Sequence, residues 1–117
     1  MPKNSARNPG LEALLELNNE VFLLENGYWT KIEARRVKPS REIPHGIRYS
    51  LTLHNRYGTR IMGFDNAHRI KPTRKQFAAR KTTWDHTHYP GRTVAYEFKN
   101  AGQLLQDFWV LVDELLK

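Results

Sequence analysis

Apolar and polar positions alternate most cleanly from Ile47 to His54, where Ile47, Tyr49, Leu51 and Leu53 interleave with Arg48, Ser50, Thr52 and His54. A period of two marks a strand with one buried face. The same period runs from Tyr28 to Val37, with Tyr28, Thr30, Ile32 and Ala34 on one side and Lys31, Glu33 and Arg35 on the other. Ahead of it stands Asn26-Gly27, flanked by Phe22-Leu23-Leu24 and Tyr28-Trp29. Both turn residues accept positive φ, so a type I′ turn is expected to join two antiparallel strands. Pro39 to Pro44 reads as a loop and Asn55 to Gly58 as a turn. Thr59 to Phe64 reads as the next strand, with Asp65-Asn66 reaching solvent at its end, and Thr93 to Phe98 as another through Val94, Tyr96 and Phe98.

The period changes near the C-terminus. Leu104, Leu105, Phe108, Trp109, Leu111, Val112, Leu115 and Leu116 recur at helical spacing. Asn100 is a good N-cap, and Gln103 three residues later resembles a capping box. So wide an apolar stripe has to cover something, and an antiparallel sheet is the simplest partner. Leu11 to Leu17 fits a short helix by propensity or the start of a strand running into Val21-Phe22-Leu23-Leu24; the hairpin signal just beyond favours the strand. Residues 1–10 read as a flexible lead-in and 11–117 as a single domain. The expected class is α+β, an antiparallel sheet of about five strands packed against a C-terminal α-helix.

Composition narrows the compartment and the partner. The 117 residues contain no cysteine, which excludes disulfides and cysteine-ligated metal sites. Nothing after Met1-Pro2-Lys3-Asn4-Ser5 forms an apolar signal segment, and no run is long enough to span a bilayer. A cytoplasmic protein without a membrane partner is expected. The net charge is +7, and the segment from Ala67 to Arg92 holds seven cations against the single acid Asp85. Such asymmetry points to an anionic partner, either nucleic acid or an acidic protein surface. Arg69, Lys71, Arg74, Lys75, Arg80 and Lys81 are the candidate phosphate contacts.

Candidate chemistry lies at the two ends of that segment. Trp84-Asp85-His86-Thr87-His88 places an acid and two imidazoles within five residues, about twenty positions after Phe64-Asp65-Asn66-Ala67-His68. In an extended chain His86 and His88 share a face and Asp85 points the other way. Two imidazoles that titrate near neutrality suit RNA cleavage. One takes the proton of a 2′-hydroxyl, the other gives a proton to the leaving 5′-oxygen, and nearby cations such as Lys71, Arg69 or Arg80 stabilise the phosphorane. No metal or other cofactor is required. Asp65 or Asp85 would orient an imidazole, and His68 is a further catalytic candidate. Trp84 and Tyr89, beside the histidines, are candidates for stacking bases. The same residues also admit plainer assignments, with Asp85 capping a turn and the histidines lining a polar strand. A facial divalent-metal site from His86, His88 and Asp65 or His68 is a further alternative. His45 and His54 look like loop residues without a chemical role.

The ordered set of motifs resembles the TumE-type toxins of bacterial toxin–antitoxin modules. The matching pieces are Phe64-Asp65-Asn66, Asp85-His86-x-His88, Tyr96-Glu97-Phe98 and Leu104-Leu105-Gln106-Asp107-Phe108-Trp109, with the Asn26-Gly27 hairpin and His45-Gly46-x-x-Tyr49 upstream. The likeness runs from about residue 12 onward. Relatives commonly carry a short Gly-Lys linker between the Asp-Asn and Asp-His motifs; here the longer basic stretch Ile70 to Thr83 intervenes, with Lys71 in place of that lysine. The resemblance implies a toxin neutralised by a cognate helix-turn-helix antitoxin. RNA cleavage is read from the histidines and the charge, with a homodimer also allowed. Rival readings are a non-catalytic nucleic-acid- or protein-binding module and a metal-dependent nuclease. Catalysis demands that Asp65, His86 and His88 converge on one point; opposite faces of the sheet would remove it.

Overall fold

A computed structural model of the chain describes residues 8–66 and 85–117. Helix α1, Pro9–Glu16, opens the described chain. Strands β1 (Glu20–Leu23), β2 (Trp29–Arg36), β3 (Ile47–His54), β4 (Arg60–Asp65), β5 (His86–Tyr89) and β6 (Arg92–Ala95) come next, and helix α2 (Ala101–Leu115) closes it. The six strands form one antiparallel sheet in sequence order. The α+β class and the C-terminal helix stand as expected.

Leu11 to Leu17 is helical rather than the start of a strand. The Asn8 side chain accepts from Leu11 N–H at 3.1 Å, and Pro9, with its φ preset for a helix, comes directly after it. An Asn-Pro start is a cap signal, and here it outweighed the apolar run behind it. The hairpin forms as predicted. Asn26 and Gly27 have φ of 61° and 82°, and Tyr28 N–H donates to Glu25 O across them.

The additional strand is β5, whose four residues His86-Thr87-His88-Tyr89 carry too little apolar alternation to announce themselves. It hairpins into β6 through Pro90-Gly91, and Gly91 takes φ +81°. β6 ends at Ala95, so Tyr96 and Phe98 leave the sheet and pack against the core instead of extending the strand.

Strand alternation divides the sheet into two faces. Thr30, Ile32 and Ala34 of β2, Tyr49, Leu51 and Leu53 of β3, and Met62 and Phe64 of β4 are buried beneath the helices. Leu104, Phe108 and Val112 of α2 close that core, with Leu14 of α1 buried beside them. Phe64 meets Phe108 and Tyr96 edge-on, and Trp109 meets Phe22 likewise. Asn100 caps α2 by accepting from Gln103 N–H at 2.8 Å, while the Gln103 amide donates to Asp107. The other face carries Lys31, Glu33, Ser50, Thr52, Asp65, His86 and His88. No helix among the described residues is long and apolar enough to cross a membrane.

Candidate functional site

Antiparallel pairing sets Asp65, the last residue of β4, directly opposite His86, the first of β5, and Gly63 opposite His88. Period-two alternation then puts all three side chains on the face away from the helices. His86 Nε2 lies 3.0 Å from Asp65 Oδ1, and His88 Nε2 lies 3.2 Å from Asp65 Oδ2. An ionised carboxylate only accepts, so both Nε2 atoms donate to it. The two rings meet edge-on, with centroids 4.3 Å apart. The convergence required for catalysis is therefore present. Access is unequal: the His86 side chain is 1% exposed and that of His88 is 21%.

Neighbouring residues hold this geometry. Asn66 is fully buried, and its side chain continues the β3–β4 ladder where the main chain of β4 stops. Its amide donates to Ile47 O at 2.7 Å, and its oxygen accepts from Tyr49 N–H at 3.1 Å. The expectation that Asp65 and Asn66 reach solvent is thus corrected, with Asp65 only 6% exposed. An Asn side chain copies a peptide group, and that mimicry lets it pin the strand end beside Asp65. Gly63 leaves the position across from His88 without a side chain, so the imidazole can lean diagonally toward Asp65. A Cβ at Gly63 would sit 3.2 Å from Thr52 Cγ2. Thr93 on β6 puts its hydroxyl 3.3 Å from His88 Nδ1 and steadies the outer edge of the ring.

A second polar cluster occupies the core side. Asp85 precedes β5 and points opposite to His86, as alternation requires. Its Oδ1 accepts from Tyr49 O–H at 2.8 Å and from His45 Nε2–H at 3.1 Å. Ile47 N–H donates to His45 Nδ1 at 3.2 Å, which leaves the imidazole proton on Nε2, aimed at Asp85. Phe98 stacks on the His45 ring at 3.7 Å. Burial, reinforced by the Asp85 charge, pushes the Tyr49 phenol far above its ordinary pKa and keeps it a neutral donor. Burial and the hydrogen-bonded Asp107 raise Tyr96 in the same way. Between the two acids, Asp65 bonds the histidines of β5, whereas Asp85 bonds His45.

His45 is thus the residue that sequence reasoning missed, since its partner lies forty positions away and only strand pairing joins them. His54 ends β3 rather than lying in a loop, and it stacks on Trp29 at 4.0 Å. Burial lowers its pKa below the ordinary imidazole value, which suits a structural side chain. Tyr89 falls on the core side by alternation and packs against the core, with the Arg92 guanidinium 4.6 Å over its ring. The remaining candidates, His68, Arg69, Lys71, Arg74, Lys75, Arg80, Lys81 and Trp84, lie outside the described residues.

With the sheet and its two polar clusters in view, comparison with known families gives a match: the model described as Toxin TumE covers residues 10–116. The chain belongs to the TumE toxin family. The match takes in nearly the whole chain, including Asp65, Asp85, His86 and His88. No curated protein and no solved structure matches it. TumE membership makes the chain a toxin component and implies an antitoxin partner.

Proposed function

We propose that this TumE-family toxin inhibits growth by cleaving RNA, with the Asp65–His86–His88 face of the sheet as the reaction centre. The carrying observation is the convergence of two imidazoles on one carboxylate from adjacent strands. Cleavage of a ribose phosphodiester by the 2′-hydroxyl forms one P–O bond and breaks another. The 2′-hydroxyl proton goes to a base, and the leaving 5′-oxygen takes one from an acid. Of the two imidazoles His88 is the one that reaches solvent, so its Nδ1, the nitrogen turned away from Asp65, takes the 2′-hydroxyl proton and the resulting imidazolium gives a proton to the leaving 5′-oxygen. Asp65 orients its ring, and the buried His86 holds Asp65 in place.

The basic segment supports an RNA substrate. In the sequence it lies between Asn66 and Asp85, which border the strand ends that carry the reaction centre. Its Arg69, Lys71, Arg74, Lys75, Arg80 and Lys81 would supply phosphate contacts and charge for the phosphorane. The partner we infer is a helix-turn-helix antitoxin, and the site of action the cytoplasm.

Inducible expression with inspection of cellular RNA tests the reading. His88→Gln should remove growth inhibition and lower RNA cleavage by roughly 100-fold or more, with the fold retained by circular dichroism and the glutamine amide able to keep a hydrogen bond to Asp65. A fully toxic His88→Gln protein would take that imidazole out of the mechanism. If reversal of Arg74, Lys75, Arg80 and Lys81 to Glu abolished toxicity in that case, the toxin would act by binding alone.

A further inference from the structure

We propose that the Asp65–His86–His88 triad is a binding site for one divalent transition-metal ion of the zinc or manganese class. The proposal rests on the RNA-cleaving reading for its consequence and revises its chemistry: with His88 Nε2 ligating an ion, the proton exchange given above to His88 would pass to water held at that ion. The donor set comes first. Two imidazole nitrogens and one carboxylate are the ligands that borderline divalent ions take, and the Asp65, His86 and His88 donor atoms all lie within 4.8 Å of one another. Around an ion with bonds of about 2.0–2.2 Å, neighbouring donors stand about 3.0–3.4 Å apart. The observed Nε2-to-oxygen separations of 3.0 and 3.2 Å fall in that interval. Those two separations run to different Asp65 oxygens and the full donor set spans up to 4.8 Å, so an ion that takes the place of the two bridging protons draws the imidazoles and the carboxylate together by side-chain rotation.

Three features distinguish this cluster from a chance meeting of polar side chains. Its donors sit on two hydrogen-bonded strands whose register fixes their spacing, not on loops. Asp65 and His86 are buried, which protects the bonds from exchange with water, while His88 at 21% exposure leaves one side approachable. That combination of three protein ligands and an accessible position is the pattern of a reactive metal centre, where water or a phosphate oxygen completes the sphere. The third feature is Thr93. Its hydroxyl can donate to His88 Nδ1 when Nε2–H faces Asp65, or accept from Nδ1–H when Nε2 binds an ion. Thr93 thus serves as the outer partner that a metal-bound imidazole needs. The loaded site would carry one net positive charge, from a divalent ion and one carboxylate, and so attract phosphate. Its chemistry would then be polarisation of the phosphoryl group and activation of bound water.

Titration calorimetry on the full chain, purified without a histidine tag and stripped with chelator, tests the proposal with Zn(II), Mn(II) and Co(II) chloride as probes. The expected result is one ion per chain, with Co(II) giving visible absorption bands from nitrogen and oxygen ligation. Thr93→Val should weaken binding roughly 10–100-fold, as loss of an outer partner does, and Asp65→Asn or His88→Gln should weaken it further. Should Asp65→Asn fail to fold, the more exposed His88→Gln carries the comparison. No binding by folded wild type, or equal binding by wild type and His88→Gln, overturns the site. Nuclease assays separate the two readings. Metal binding without RNA cleavage would sink the proposed function and leave the site. Cleavage that persists in excess chelator, by a chain that binds none of these ions, would sink the site and leave the function.

Discussion

Asp65 and Asp85 are both carboxylates beside imidazoles, and their surroundings give them different work. Asp65 uses each oxygen for one imidazole Nε2 on the face of the sheet away from the helices, where only His88 is partly exposed. Asp85 gathers Tyr49 and His45 on the core side, where Phe98 covers the imidazole. The Tyr49–Asp85 bond therefore ties the residue before β5 to β3, and β5 in turn carries His86 and His88. Tyr49→Phe removes a donor to a charged group and should lower stability by about 1–3 kcal/mol. Urea denaturation measures this, and an unchanged midpoint would show that the bond does not anchor β5.

At the scale of elements, caps and turns explain more than propensity. α1 exists because Asn8 and Pro9 start it, and α2 because Asn100 does. Asn100→Ala leaves Gln103 N–H without its side-chain acceptor and should cost about 1 kcal/mol, within the usual range of roughly 0.5–2. Thermal unfolding followed by circular dichroism checks this; no loss would mean that tertiary contacts alone hold the first turn. β4 stops where Asn66 substitutes its amide for the main chain. That detail makes the Asp-Asn pair an architectural unit: the second residue ends the strand and thereby fixes the first. Gly63 does comparable service by omission, since a side chain there would stand between Thr52 and His88.

At the scale of the molecule, the described residues form two layers, helices on a sheet, with a division of labour between the faces of the sheet. One face is sealed by α1 and α2 over Ile32, Leu51, Leu53, Met62 and Phe64, with Phe108 at the centre of the seal. Phe108→Ala should cost about 3–5 kcal/mol, a large share of the stability of a domain this size. A loss under about 1 kcal/mol in urea titration would mean that the α2 contact is not the main core. The opposite face holds the triad, which can therefore be altered at His88 without opening the core. That separation is why the His88→Gln test reads chemistry rather than folding.

The sequence by itself determined the features that local periodicity and local chemistry encode. Alternation placed β2 and β3 and named their buried residues, Asn26-Gly27 set the hairpin, and the Asn100 cap and helical spacing set α2. It also gave the condition under which His86 and His88 share a face, an extended backbone, and the ordered motifs pointed to the toxin family. Only the tertiary structure decided which acid meets the histidines. Asp65 and His86 are twenty-one positions apart in the sequence, and cross-strand register between β4 and β5 is a long-range choice that the local pattern does not encode. The same register separated Asp85 from the triad and gave it His45, a residue whose sequence neighbours suggested no chemical role. β5 went unseen for a related reason, since a short polar strand owes its form to the partners on either side. The Asp85-His86-x-His88 motif thus contributes to both faces, and only folding shows which part of it belongs to the candidate reaction centre.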